Sequence, residues 1–143
     1  QINQDNIEIE IQGSPHDEIA GISNELEQVF TNLILNARDA IRSAKRTAGK
    51  IRIVLEGMEE GVQVKVFDNG AGIKKEHVNR VFDPFFTTKD VGEGTGLGLA
   101  VTHNILQKHK CQIRVESEIG SETVFTLLFP KFQDQAAQKL RKK

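Results

Sequence analysis

Tryptophan and tyrosine are absent, cysteine and methionine occur once each, and neither sign of charge dominates: 19 basic and 20 acidic side chains leave a net charge of -1. A lone Cys111 excludes an internal disulfide framework and suits a reducing compartment. Balanced charge excludes the basic field that holds nucleic acid or an anionic membrane, so neither a nucleic-acid partner nor direct membrane contact is expected. No apolar run approaches the roughly 20 residues that span a bilayer, and the opening QINQDNIEIE is too polar for a signal peptide. A cytoplasmic domain is expected. With Gln1 first and Met58 the only methionine, the chain reads as a segment of a longer parent.

What is present suffices for one core: 143 residues, 38% of them hydrophobic. NIEIEIQG alternates Ile7, Ile9 and Ile11 with acidic residues, the period of a strand with one buried face. Asn24 and Glu27 form a capping box, after which Leu26, Val29, Phe30, Leu33, Ala37 and Ile41 recur at helical spacing until basic residues and Gly49 end the helix. KIRIVLEG and VQVKVFD, joined by MEEG, predict neighbouring antiparallel strands. GLGLAVTHNILQKHK places Leu97, Val101, Ile105 and Leu106 on a helical stripe, and CQIRVESE and ETVFTLLFP read as two final strands parted by Gly120. This order predicts an α+β domain, a two-layer α/β sandwich whose mixed sheet of about five strands carries helices on one face. The domain spans residues 1–132, and 133–143 form a polar tail.

Three groups of residues carry chemistry. Asn32, Asn36 and Asp39, at i, i+4 and i+7, project from one side of the first long helix beside its apolar stripe. Polar decoration of a solvent face would look the same. Asp68 closes a strand and precedes Asn-Gly-Ala-Gly. A carboxylate there can present a fixed acceptor to an amino group on a planar ligand such as adenine, although Asp-Asn-Gly is also plain turn chemistry. Thr95-Gly96-Leu97-Gly98 leads into a helix, where free N–H groups and the helix dipole suit a phosphate. It is neither a P-loop nor a dinucleotide fingerprint. Between the glycine clusters, residues from about 74 to 93 are too long and irregular for an ordinary connection, which marks a lid.

NELEQVFTNLILNARDAI, DNGAGI, FDPFFTTK, GEGTGLGLA and GSETVFTLLFP, in this order, resemble the N box, first glycine box, F box, second glycine box and final threonine motif of the ATP-binding catalytic domain of sensor histidine kinases, particularly the nitrogen-regulator and dicarboxylate-sensor type. The resemblance runs from about Asn24 to Pro130. It implies the Bergerat-type fold shared with type II topoisomerase, mismatch-repair and heat-shock-chaperone ATPases, with ATP and Mg²⁺ as cofactors. It further implies that Asn36 ligates Mg²⁺, that Asn32 lies near the phosphates and that Asp39 approaches the nucleotide. Asp68 would bind the adenine amino group, with Gly70, Gly72, Ile73 and Thr123 around the base. Gly94, Thr95, Gly96, Leu97, Gly98 and Leu99 would hold phosphates and ribose.

Phe82, Phe85 and Phe86 would anchor the lid, where Thr87, Thr88 and Lys89 follow the aromatic pair. Many sensor kinases carry arginine there, so Lys89 is either a phosphate-facing cation or an exposed lysine. Related ATPases place a water-activating glutamate at the position of Asn32, and an amide cannot take that proton, which favours phosphoryl transfer over hydrolysis. The acceptor implied is a histidine on a separate helical dimerisation domain of the parent, itself a homodimer, with a response regulator downstream and membrane anchoring open to the parent. His16-Asp17-Glu18 is the nearest imitation of an acceptor motif but sits beside Pro15. His77, His103 and His109 read as solvated. The segment alone is expected to be monomeric and unable to label itself. An ATPase module, a silent nucleotide-binding module, or a serine kinase of the same fold acting on an anti-sigma partner are the alternatives.

Overall fold

A computed structural model describes residues 6–13, 23–84, 86 and 98–130. Five strands, β1 (Ile7–Gln12), β2 (Gly49–Met58), β3 (Gly61–Asp68), β4 (Gln112–Ser117) and β5 (Thr123–Pro130), form one sheet in the order β1-β2-β3-β5-β4. β1 runs parallel to β2 and every other pairing is antiparallel, so the sheet is mixed as expected. The hairpin expectation holds for β2 and β3, paired from Ile51↔Asp68 to Met58↔Gly61.

Side chains alternate across this sheet. Val62, Val64, Val66 and Asp68 of β3 are buried, whereas Gln63, Lys65 and Phe67 are only half-buried on the other face. α1 (Ser23–Ser43) lies on the buried face against β2 and β3, and α3 (Gly98–Lys108) packs on α1 and β4. Val29, Leu33, Ala37 and Ile41 of α1 meet Ile51, Val66, Phe125, Leu127 and Phe129 in the core, with Leu106 from α3. Each such fully buried aliphatic side chain contributes roughly 1.5–3 kcal/mol. Cys111 joins this core, and burial pushes its thiol up to about 12 from an ordinary 9.0, partly offset by a hydrogen bond with the Leu128 backbone.

Helix boundaries depart from the sequence expectation. α1 already includes Ser23, so Asn24 lies inside the first turn and is not the cap. Its end is not set by Gly49, which already belongs to β2. Lys45 adopts left-handed φ 55°, its N–H donates to Arg42 O at 3.0 Å, and the Arg46 N–H donates to Ile41 O at 3.4 Å. That is a Schellman motif with lysine where glycine is usual. α3 ends the same way through Lys110, φ 58°, and Cys111.

The predicted lid begins with structure of its own, α2 (Lys75–Val78) followed by turns. Val81 is buried, and the Phe82 ring stacks on His103 at 5.2 Å between centroids and meets Phe125 edge-on at 6.2 Å. Phe82 therefore anchors the lid to α3 and the core. Phe86 instead contacts the lid itself, edge-on to His77 and under the Arg80 guanidinium. Phe85, the lid from Thr87 onward and the tail lie outside the described residues. The solvated reading of His109 is corrected: it is 7% exposed, with Nδ1 2.8 Å from Ile105 O.

Candidate functional site

The strand register brings three polar side chains into one row on the buried face. Asp68 ends β3, pairs with Thr123 at the start of β5, and Thr123 pairs with Ser117 at the end of β4. Asp68 and Thr123 are 3% and 2% exposed. Ser117 Oγ lies 2.7 Å from Thr123 Oγ1 and accepts the Ile73 N–H at 2.8 Å. Ser117 did not stand out in the sequence. Its only signal was strand parity with Thr123, which becomes informative once the β4–β5 pairing is known.

Asp68 Oδ1 accepts the Gly70 N–H at 2.9 Å. Burial pushes its carboxyl up to about 6 from 3.8, with the Gly70 hydrogen bond pulling downward and the Glu122 charge adding to the rise. A carboxylate kept out of water is costly unless a donor satisfies it, so this position suits a ligand amino group.

The loop after Asp68 is clamped against α1. Ala71 N–H donates to Ala40 O at 3.0 Å, and a Cβ on Gly70 would come within 2.6 Å of Ala40. Gly72 has φ 78°, and a Cβ there would meet Glu118 O at 2.2 Å, so glycine is required on both counts. Asn69 accepts the Lys50 N–H at 2.8 Å and donates to Ala48 O at 3.0 Å. Arg46 reaches the same loop, donating to Asn69 O at 2.9 Å, Gly70 O at 3.5 Å and Gly120 O at 2.9 Å.

Two turns before Ala40, in the middle of α1, Asn32 Nδ2 donates to Gly98 O at 3.3 Å and to Thr102 Oγ1 at 3.2 Å. Thr102 is fully buried, a polar member of the α3 stripe. Asn36 and Asp39 follow on the same side of α1, both half-buried, and Asp39 lies 3.7 Å from Arg38. Asn32, Asn36 and Ala40 thus trace one line along the helix, tied to α3 at one end and to the glycine loop at the other. Eight residues of helix span about 12 Å.

The first turn of α3 holds no acidic side chain. A Cβ on Gly98 would meet nothing within 4 Å among the described residues, whereas Leu99 packs on the core. The structure therefore brings together Asp68, Gly70, Gly72, Ile73 and Thr123 at one end and Asn32, Gly98 and Leu99 at the other, bridged by Asn36 and Asp39. Thr87, Thr88, Lys89, Gly94, Thr95, Gly96 and Leu97 lie outside the described residues.

The donor set fits a nucleotide carrying its own metal. Among the described residues no group of three His, Cys, Asp or Glu side chains could hold an ion. An amide oxygen such as that of Asn36 is a hard but uncharged ligand, able to complete the shell of a Mg²⁺ already held by phosphates and water. No described helix is long and apolar enough to cross a membrane.

Comparison with known proteins agrees with this geometry. Residues 21–133 match the family described as histidine kinase-, DNA gyrase B-, and HSP90-like ATPase. Sporulation kinase A of Bacillus subtilis (strain 168) is 42% identical over 113 residues, 79% of this chain and 18% of that protein. Sensor histidine kinase ZraS of Escherichia coli (strain K12) is also 42% identical over 113 residues, 79% of this chain and 23% of its own length. The chain thus spans about a fifth of these relatives. Among solved structures, a nucleotide-free catalytic domain of histidine kinase ThkA superposes with TM-score 0.76 at 32% identity, covering 91% of this chain and 84% of that one. Full-length ShkA in complex with AMPPNP gives TM-score 0.77 at 26% identity, covering 92% of this chain and 27% of that one. With the sheet, the carboxylate row and the α1–α3 junction in place, the chain belongs to the histidine kinase-, DNA gyrase B-, and HSP90-like ATPase family, and within it is similar to the ATP-binding domains of sensor histidine kinases.

Proposed function

We propose that the domain binds Mg·ATP and delivers its γ-phosphoryl group to a histidine on a separate helical dimerisation domain of the parent kinase. The observation that carries this reading is the line along α1, with a buried carboxylate beside one end and Gly98 of α3, held by Asn32, at the other. Asp68 accepts from the adenine amino group, Gly70, Gly72 and Ile73 line the base, and Thr123, whose hydroxyl pairs with that of Ser117, assists at the base. Asn32 and the start of α3 at Gly98 and Leu99 face the phosphates. Gly94, Thr95, Gly96 and Leu97 ahead of α3, with Thr87, Thr88 and Lys89 of the lid, complete that end. Asn36 holds Mg²⁺ and Asp39 approaches the nucleotide. The metal supplies charge neutralisation for the transferring group.

What the chain contributes is positioning and exclusion of water. Asn32 spends its amide N–H groups on Gly98 O and Thr102 Oγ1 and has no basic oxygen for activating water. That favours transfer over the ATPase reading. The folded unit is proposed to run through residue 132, with a lid over 74–93 and a tail from 133. The segment is monomeric and cytoplasmic, while its parent is a homodimer, membrane-anchored or not, that hands phosphate to a response regulator.

The test mixes this chain with Mg·ATP and the parent's helical domain. Acid-labile phosphate on histidine is expected, reduced about a hundredfold or more by Asn36→Ala through loss of a metal ligand worth several kcal/mol. Acid-stable label on serine, or steady phosphate release without an acceptor, would contradict it. Binding of ATP without any transfer would favour the silent module.

A further inference from the structure

Arg46 was not singled out by the sequence, yet it touches three separate main-chain segments. It stands at the C″ position of the motif that ends α1, its own N–H donating to Ile41 O. Its guanidinium donates to Asn69 O and Gly70 O of the glycine loop and to Gly120 O of the β4–β5 turn, at 2.9, 3.5 and 2.9 Å. Those two segments are the walls of the base end. Gly72 lies so close to the turn that a Cβ would strike Glu118 O, and the Gly120 N–H donates to Ala71 O at 2.9 Å.

We propose that Arg46 is a positioning residue for purine recognition: its guanidinium clamps the Asn69–Gly70 backbone to the β4–β5 turn and so fixes the gap in which Asp68 meets the base. The inference rests on the nucleotide-binding reading above and deepens it. The left-handed Lys45 supports it, because a lysine with φ 55° is an unfavourable way to end a helix, and this ending turns the chain so that the next residue reaches the loop. The planar fork explains why one side chain can serve three acceptors, which a lysine ammonium on a flexible stem cannot hold at fixed separations. Every partner of Arg46 among the described residues is a carbonyl oxygen, so the clamp carries no direct charge to Asp68.

The experiment measures, by calorimetry, the affinities of wild type, Arg46→Ala and Arg46→Lys for Mg·ATP and Mg·ITP. The two share a triphosphate and differ at the base position that Asp68 would read. Wild type should prefer ATP. Arg46→Ala should weaken ATP binding about five- to tenfold, because charged hydrogen bonds at a solvent-exposed clamp are lost, and should weaken ITP binding less, so that the preference shrinks. Arg46→Lys should not restore it. An unchanged ATP/ITP ratio in Arg46→Ala, or full restoration by lysine, overturns the proposal. If Arg46→Ala melts below the assay temperature, Arg46→Gln is read by the same ratio. Wild type that binds neither nucleotide would overturn the nucleotide-binding reading itself, a result distinct from binding with an unaltered ratio.

Discussion

Replacing Asp68 by asparagine should make the nucleotide-free domain more stable and the nucleotide-binding one useless. The carboxyl is 3% exposed, and burial raises it from 3.8 to about 6, with Glu122 adding to the rise. Above pH 6 both folded and unfolded chains carry the charged form, and the folded one bears the full cost. At ~1.4 kcal/mol per unit, that cost is about 3 kcal/mol. Asparagine has nearly the same shape, and its Oδ1 can keep the Gly70 N–H bond.

The gain should therefore be about 2 kcal/mol at pH 7.5, or roughly 5–8 °C in melting temperature, once the smaller cost of burying an amide is subtracted. Between pH 3.8 and 6 the folded state holds a proton that the unfolded state has lost, so wild-type stability falls as pH rises through that window. The advantage of asparagine should shrink toward zero as pH falls from 6 to 4. Thermal melts followed by far-UV circular dichroism at pH 4, 5 and 7.5 measure this, since without Trp or Tyr there is little intrinsic fluorescence to follow. Calorimetry with Mg·ATP should show binding lost, because the amide NH₂ would face the adenine amino group, donor against donor. An asparagine variant that melts no higher than wild type at pH 7.5, or keeps its full advantage at pH 4, would refute the account of the buried carboxylate.

Two more substitutions test the helix ends. Among the described residues a Cβ at position 98 meets nothing, so Gly98→Ala should leave the nucleotide-free domain unchanged or up to about 1 kcal/mol more stable from the better helix former, while Mg·ATP affinity drops by calorimetry; equal loss of both would mean that glycine serves the fold. Lys45→Gly relieves the left-handed lysine at the end of α1 and should raise stability by about 0.5–1 kcal/mol in urea melts, with a decrease contradicting the Schellman assignment.

Local periodicity told most of the secondary structure. The alternation of Ile7, Ile9 and Ile11 and of Val62, Val64 and Val66, and the helical spacing from Val29 to Ile41, follow from neighbours along the chain, and those elements appear where expected. The first glycine cluster, Asp68 and the Asn32, Asn36, Asp39 line were also legible, because backbone freedom and helical phase are local properties. What the chain alone could not decide were relations between residues far apart in it. Strand order, the parallel β1–β2 pair and the Asp68–Thr123–Ser117 row depend on register, which is settled by burying one face of the whole sheet. The end of α1 depended on a left-handed lysine that no composition rule marks, and Arg46 gained its partners only when the β4–β5 turn arrived beside the glycine loop. Residue types and phases are written locally, whereas the width and burial of the base end arise from long-range packing, and that packing raises the Asp68 carboxyl.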